Sequence, residues 1–459
     1  MGNKGLPFWR IALYSSASAG LNILAITIDT WLLYFYAPPP DSGRPQYLPI
    51  ALIGVLMTVA SIWDAVIDPF IGHWSDTLRS RWGRRRPFLV LASPFVLLGA
   101  ILIWTPPAGT VWLVAAYFMF ITLMYRTAYS LVGIPYDGTL PEMAPDARAR
   151  VGLSYWKNVF GIAGVLVGSL VAAPLFESMG AVYMGVVVGV VGVVTIYLTL
   201  LGLRETDRPL GEPMRALDGL RATFTNGQFM VVFVSTLLVH VCYQMLLINF
   251  PYFVTLVLGK SEGDVGILQG VLILVMALTG PVWTLWNRRR SQRWLLNFTM
   301  VGLTIAVALG FLVGRMPFLP IDVQGFILVA LIGVLLGGYL IVIYAMMGNV
   351  VDYDEMLTGR RREAIYYGTF SFAIGLGTSL GALVLSQLLK IFGYTRENPL
   401  GVQVAFLVMA LFVLAGFLVF QKYRLGDTPE ETRRNLRMEV TTRLRHCEPP
   451  EAAKQSPGR

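Results

Sequence analysis

The sequence is short of charge and nearly without cysteine, and both shortages are informative. Only 14% of its 459 residues are Asp, Glu, Lys or Arg, while 55% are hydrophobic. Water-soluble domains carry roughly 25% charged residues, so a soluble globular fold is excluded. The two cysteines are Cys242, inside an apolar run, and Cys447, in the polar C-terminal stretch. They offer neither a disulfide framework nor metal-ligand spacing. No Ser/His/Asp or Cys/His set has catalytic spacing, and no glycine-rich loop joins a strand to a helix to cradle phosphate. An enzyme, a nucleotide-driven machine and a bound cofactor are therefore not expected. Residues 1–10 lead into an apolar run without a small-residue cleavage site, so the first helix is expected to stay as an anchor.

What the chain has instead is long apolar runs. Twelve fall near 9–37, 47–74, 87–106, 110–135, 152–175, 180–203, 229–258, 264–286, 294–314, 323–348, 365–393 and 402–421. Each is about long enough to span a bilayer. The net charge of +9 does not indicate nucleic acid, because the basic residues sit in short loops between apolar runs. Arginines crowd the loops after even-numbered runs: Arg79 to Arg86, Arg148 and Arg150, Arg204 to Arg221, Arg288 to Arg293, and Arg360 to Arg362. The intervening loops hold little beyond Arg44, Lys260, Arg315, Lys390 and Arg396. Arginine-rich loops lie on the cytoplasmic side, so both termini are expected there, in a plasma (cell inner) membrane protein. Six spans (1–203), a middle loop (204–228), six more spans (229–421) and a charged cytoplasmic tail with little fixed structure (422–459) make an all-α polytopic chain. This is the layout of a major facilitator: twelve transmembrane helices in two pseudo-symmetric six-helix halves around a midplane site. An unrelated twelve-span bundle has the same hydropathy; a seven-span receptor does not.

The chemistry concentrates in WDAVIDPFIGHWSDTLRSRWGRRRP, residues 63–87. Asp64 and Asp68, spaced i, i+4, share a helix face. Carboxylates inside a span are expensive and mark an ion or proton path. Two close carboxylates in low dielectric do not both ionise cheaply, so a proton or a hard cation is expected to join them. Arg126 lies within span four at similar depth, ~22 Å in against ~25 Å for Asp64 at 1.5 Å per residue. A buried Arg stays charged and needs a partner, which points to a cluster of Asp64, Asp68 and Arg126. The guanidinium would supply part of a cation's charge, favouring a proton over Na⁺. The alternative is that Arg126 faces water or an acidic solute.

Four stretches resemble the glycoside–pentoside–hexuronide:cation symporter family, typified by melibiose permease. They are WDAVIDP with SRWGRRRP, the Tyr34-Phe35-Tyr36 end of span one after Tyr14, the 129–135 stretch YSLVGIP, and VVDYDEMLTGRRREAIYYG at 350–368. The resemblance implies symport of a small solute, a sugar or glycoside, with H⁺ or Na⁺, and places the cation at Asp64 and Asp68. Ser130 matches a small hydroxyl position of the family. At other family positions this chain differs: Gly133 replaces a carboxylate, Asn22 a sugar-binding acid, Lys157 an arginine and Gly375 a lysine.

The remaining polar residues suggest a cavity lining. Asn22 and Asp29, seven apart on span one, share a face; either contacts solute, or Asn22 hydrogen-bonds between helices and Asp29 acts at a gate. Lys157 follows Tyr155 and Trp156, with Asp137 within reach, giving an aromatic platform and a cation for solute hydroxyls. Alternatively Lys157 snorkels to the interface. His240 and Gln244, i, i+4 on span seven, and Tyr367 on span eleven complete the lining, unless His240 only packs. Asp76, Arg79 and Arg84 in the first half, and Asp352, Asp354, Arg361 and Glu363 in the second, form acidic–basic clusters expected to close a cytoplasmic gate. A monomer embedded in membrane lipid is expected. Two other readings stand beside glycoside symport: carriage of a lysolipid or other amphiphile, and a non-transporting membrane receptor or scaffold.

Overall fold

In a bilayer the lipid tails are as apolar as leucine, so helices associate through close packing and hydrogen bonds rather than hydrophobic burial. The sequence supplies small residues and hydroxyls at that spacing. The computed structural model describes residues 7–144, 147–203, 205, 223–359 and 362–435. Among the described residues every regular element is helical. The long helices are α1 (Phe8–Tyr36), α2 (Ile50–Thr77), α3 (Arg86–Leu102), α4 (Val111–Gly138), α5 (Ala147–Met179) and α6 (Ala181–Gly202). After them come α7 (Gly227–Tyr252), α8 (Gly263–Asn287), α9 (Gln292–Leu309), α10 (Ile321–Thr358), α11 (Glu363–Phe392) and α12 (Leu400–Phe420). Eleven are long and apolar enough to cross a membrane; α3 is apolar but shorter. A π-helical turn, Phe253–Val257, extends α7.

Packing partners repeat with an offset of six helices. α1 packs on α5 and α6, and α7 on α11 and α12; α3 packs on α4 and α6, and α9 on α10 and α12; α2 packs on α4, and α8 on α10. This is the internal repeat of a major facilitator. The first half meets the second along α1/α7, α2/α11 and α5/α8. Small residues permit the close crossings. A Cβ on Gly164 would stand 2.7 Å from Ala19 Cα, so α1 and α5 touch backbone to backbone there. Across α1/α6, the Ser16 hydroxyl donates to the Thr195 carbonyl at 2.8 Å, and Thr199 Oγ1 accepts the Ala17 N–H at 2.9 Å.

The two ends of the bundle differ. At the end bearing the α1–α2 loop, the halves are stitched together. The Arg44 guanidinium forks onto Glu262, and Tyr34 donates to the same carboxylate at 3.0 Å. Tyr252 donates to the Ala37 carbonyl at 2.7 Å, Gln46 to Tyr394 at 3.1 Å, and the Gly263 N–H to Glu177 at 2.7 Å. At the arginine-loop end the described ion pairs stay within one half. Asp76 pairs with Arg85 at 2.6 Å, Arg84 and Arg85 with Glu142, and Asp354 with Arg362. The α2/α11 seam is tight where Thr58 donates to the Ser379 carbonyl. Further toward the arginine loops, between 61–69 and 365–378, the two helices line a cavity. The molecule is therefore shut at one end and hollow on the arginine-loop side of its midplane.

The tail departs from expectation. Residues 422–435 are ordered because they complete the start of α9: Asp427 accepts the Gln292 N–H at 3.1 Å, and Pro429–Asn435 form a short helix. Nearly all of the 204–228 loop, and residues 436–459 of the tail, lie outside the described residues.

The α1/α5 crossing yields a stability prediction. Gly164→Val forces side-chain atoms into the Ala19 backbone, with an overpacking cost of about 1–3 kcal/mol. Its thermal midpoint in detergent should fall by several degrees. Gly152→Ala, where a Cβ meets nothing within 4 Å, should leave the midpoint unchanged.

Candidate functional site

The site begins with two i, i+4 pairs on facing helices. On α2, Asp64 and Asp68 are one turn apart; on α4, so are Arg126 and Ser130. The helices pack against each other, so the pairs meet as two rungs. Arg126 Nη1 makes an ion pair with Asp64 Oδ2. Ser130 and Asp68, one turn along, line the same space. The Trp63 indole, donating to Thr127 Oγ1 at 2.9 Å, ties the same two helices beside the first rung. Pro69 and Pro135 sit just beyond the second rung in α2 and α4. Each lacks an N–H, which frees a carbonyl one turn back.

The rungs leave acceptors over. Asp64 Oδ1 and Asp68 Oδ1 are buried with no hydrogen-bond partner. An orphaned carboxylate oxygen is costly in low dielectric, so these atoms are suited to a bound proton or cation. Among the described residues no three acidic, His or Cys side chains gather as a metal site. The chemistry is thus of two carboxylates, one hydroxyl and one fixed guanidinium.

Two cavities meet here. The larger, about 580 Å³, lies between α2 and α11; Asp64, Asp68 and Arg126 mark one wall, and Phe224, Ile365 and Phe372 make it largely apolar. The smaller, about 390 Å³, lies in the first half and is polar, with Asn22, Ser130, Asp137 and Lys157 on its walls. Asp68 and Ile134 line both, so the spaces adjoin at the second rung. In the smaller one Lys157 Nζ pairs with Asp137 at 2.6 Å, and Asn22 Nδ2 donates to the Ser18 carbonyl at 2.7 Å.

Other candidates stand elsewhere. Trp156 is not among the lining residues: its ring meets Phe8 edge-on at 5.0 Å. Consecutive helical residues point about 100° apart, so Lys157 facing the cavity turns Trp156 away. His240 is buried with Nδ1 at 2.9 Å from the Thr236 carbonyl, beside the Tyr243 and Tyr339 rings, in a packing role. Tyr367 is half-buried beside Tyr344 and does not line either cavity. Asp137 falls inside α4 rather than past its end. Asp29 is half-buried and lines neither cavity, and Gln244 is buried in α7.

Two gate-loop carboxylates escaped the sequence reading. Glu142 bridges Arg84 and Arg85, and Glu205 accepts the backbone N–H groups of Arg84, Arg85 and Arg86 at the start of α3. A carboxylate at a helix N-terminus is favourable there, but only the fold brings residue 205 beside residue 86. Arg79 is exposed, Asp352 and Glu363 flank the Asp354–Arg362 pair, and Arg361 lies outside the described residues.

With this geometry in place, comparison with known proteins is informative. A family model described as MFS/sugar transport protein matches residues 13–427. A glucuronide carrier protein homolog of Escherichia coli (strain K12) is 26% identical over 93% of this chain and 94% of its own. An isoprimeverose transporter of Lactiplantibacillus pentosus is 25% identical over 87% and 83%. Among solved structures, a mutant of the nucleoside transporter NupG superposes with a TM-score of 0.69 at 14% identity, over 90% of this chain and 99% of that one.

The Asp64–Arg126 rung can be tested by partner deletion. Arg126→Met leaves a carboxylate without its counter-charge, and breaking a buried pair costs about 3 kcal/mol. Its melting midpoint in detergent should drop by more than that of the double variant Asp64→Asn/Arg126→Met, giving a clear coupling energy in the double-mutant cycle.

Proposed function

The chain belongs to the MFS/sugar transport protein family, and from that premise we propose that it imports a glycoside-like solute together with a proton by alternating access. It is an integral membrane transporter, not an enzyme. The observation that carries the finer reading is the junction of a polar pocket and the carboxylate–guanidinium rungs at one residue, Asp68. A solute held by Asn22, Lys157 and Asp137 touches the same wall that binds the coupling ion. The orphaned oxygens of Asp64 and Asp68, with Ser130 beside them, accept that ion. Arg126 already supplies a fixed positive charge to Asp64, which favours a proton over Na⁺. Coupling requires that solute and proton together favour the interconverting state more than either alone.

The relatives support a sugar-like solute, since two carry glucuronide or isoprimeverose in their names. The arginine-rich loops support cytoplasmic placement of that end and of both termini, in the plasma (cell inner) membrane. In that orientation the hollow side faces the cytosol. On closure we expect Asp76, Arg79 and Arg84 to re-pair across the halves with Asp352, Asp354, Arg361 and Glu363. The transporter is proposed to work as a monomer in lipid. The apolar walls of the larger cavity support a second reading, an amphiphilic solute whose apolar part lies against Phe224 and Phe372.

Uptake in proteoliposomes tests the main reading. The probes are p-nitrophenyl β-D-glucuronide and isoprimeverose, under separately imposed proton and Na⁺ gradients. Proton-driven accumulation is expected in the parent and lost in Asp64→Asn and Asp68→Asn, while exchange of internal for external solute survives. Lys157→Ala should raise KM about tenfold, the loss of one charged hydrogen bond. Uptake indifferent to both gradients and both mutations would sink symport. No flux of either probe, with flux of a lysolipid, would favour the amphiphile.

A further inference from the structure

At the closed end each half sends one carboxylate into the other. Glu262, the residue before α8, is gripped by the first half. The Arg44 guanidinium forks onto it, Nε donating to Oε1 at 2.8 Å, and the Tyr34 hydroxyl donates to the same oxygen at 3.0 Å. Arg44 is seated from its own side, with its guanidinium over the Phe176 ring at 4.6 Å, and Phe176 stacks on Trp31. Glu177, near the end of α5, makes the return contact. It accepts the Gly263 N–H at 2.7 Å and the Ser261 hydroxyl at 3.2 Å. Both carboxylates, with Tyr34 and Arg44, line a polar cavity of about 250 Å³. The chain that carries Glu262 is not regular α-helix. Pro251 lacks an N–H, the Leu258 N–H reaches five residues back to the Phe253 carbonyl across the π-helical turn, and Gly259 has φ +66°. Helices bend at proline and at π-helical turns.

The exposure of the fork sets its strength. The Arg44 side chain is 33% exposed and that of Glu262 13%. A fully exposed pair contributes almost nothing, and a fully buried one is too costly to break in every cycle. A half-buried, bidentate, charge-assisted fork lies between these limits. The adjoining polar cavity offers water to both groups once they part. We propose that Glu262 in its Arg44–Tyr34–Phe176 socket is the latch of the closed end, and that its withdrawal, with the chain bending between Pro251 and Gly259, opens the solute path on this side. Only hydrogen bonds and the ion pair are exchanged, for contacts with water. The latch goes beyond the transport reading and shares with it only alternating access, since it depends on neither the solute nor the coupling ion.

Spin labels at Ala108 and Glu397, exposed residues of loops at the closed end in opposite halves, read the opening as a distance without any solute. A second pair at Arg81 and Arg289, exposed residues of the arginine-loop end, reads the other face. The protein is full length, with Cys242 and Cys447 replaced. In the parent the short distance should dominate between Ala108 and Glu397. Glu262→Gln keeps the shape and an acceptor for Tyr34 but loses the charge. This variant, and Arg44→Gln, should raise the long-distance population several-fold while the Arg81–Arg289 distance shortens, a reciprocal change that loss of fold does not produce. The double variant should open no further than either single one, because the fork is lost only once. Asp322→Asn removes the neighbouring Lys260–Asp322 pair within the second half and should leave both distances as in the parent. Unchanged distances in Glu262→Gln and Arg44→Gln, lengthening at both ends, or equal opening in Asp322→Asn overturns the proposal. The outcomes separate from those of the transport reading. Opening in the latch variants with no glycoside flux in the parent would refute glycoside transport and leave the latch standing. Proton-coupled flux with parental distances in the latch variants would do the reverse.

Discussion

One guanidinium in the middle of the first half constrains everything around it. Arg126 cannot lose its charge, and at that depth it cannot be left without a partner. Its position one turn before Ser130, on a helix packed against α2, lets Asp64 answer it and leaves Asp68 beside Ser130 at the cavity wall. Once that is settled, the leftover oxygens of the two carboxylates are the natural place for a mobile charge. The two cavities adjoin at this point, where two carboxylates share one guanidinium.

The same carboxylates lie close to the contact between the halves. The halves touch along three helix pairs, α1/α7, α2/α11 and α5/α8. Two of these begin with the helices that carry Asp29 and the Asp64–Asp68 pair. Opening one end therefore changes the solvent around those carboxylates. The small-residue crossings, Gly164 on Ala19 and the Ser16–Thr199 hydroxyls, lie within a half. Similar crossings join the halves, where Gly54 meets Ser386 and Gly266 meets Ser169.

The fold was legible because its causes are local. Apolar runs, arginine-rich alternate loops and a six-plus-six layout follow from bilayer physics applied segment by segment. The Asp64–Arg126 contact was legible too, because depth could be counted from helix ends at a fixed rise. What escaped depended on azimuth or on distant chain. Trp156 and Lys157 are neighbours in sequence, yet one faces Phe8 and the other the cavity. Glu205 reaches the start of α3 only after three more helices have been threaded. The tail was read as loose because its composition is polar, but its first residues have a job to do at the α9 N-terminus. Asn22 and Asp29 share a face of α1, yet Asn22 lines the smaller cavity and Asp29 does not, because the cavity ends before that turn.

The sparse polarity of the second half completes the argument. Its contribution near the site is Gln244, Thr369, Ser371 and Thr378, with phenylalanines between them. None of these titrates near neutral pH. At the cavities the first half holds the charges and the second presents a neutral, partly apolar surface to them. Covering a carboxylate with such a surface removes its solvation, which is costly unless a partner compensates it. The asymmetry between two halves of one repeated fold concentrates the titratable groups lining the two cavities in the first half.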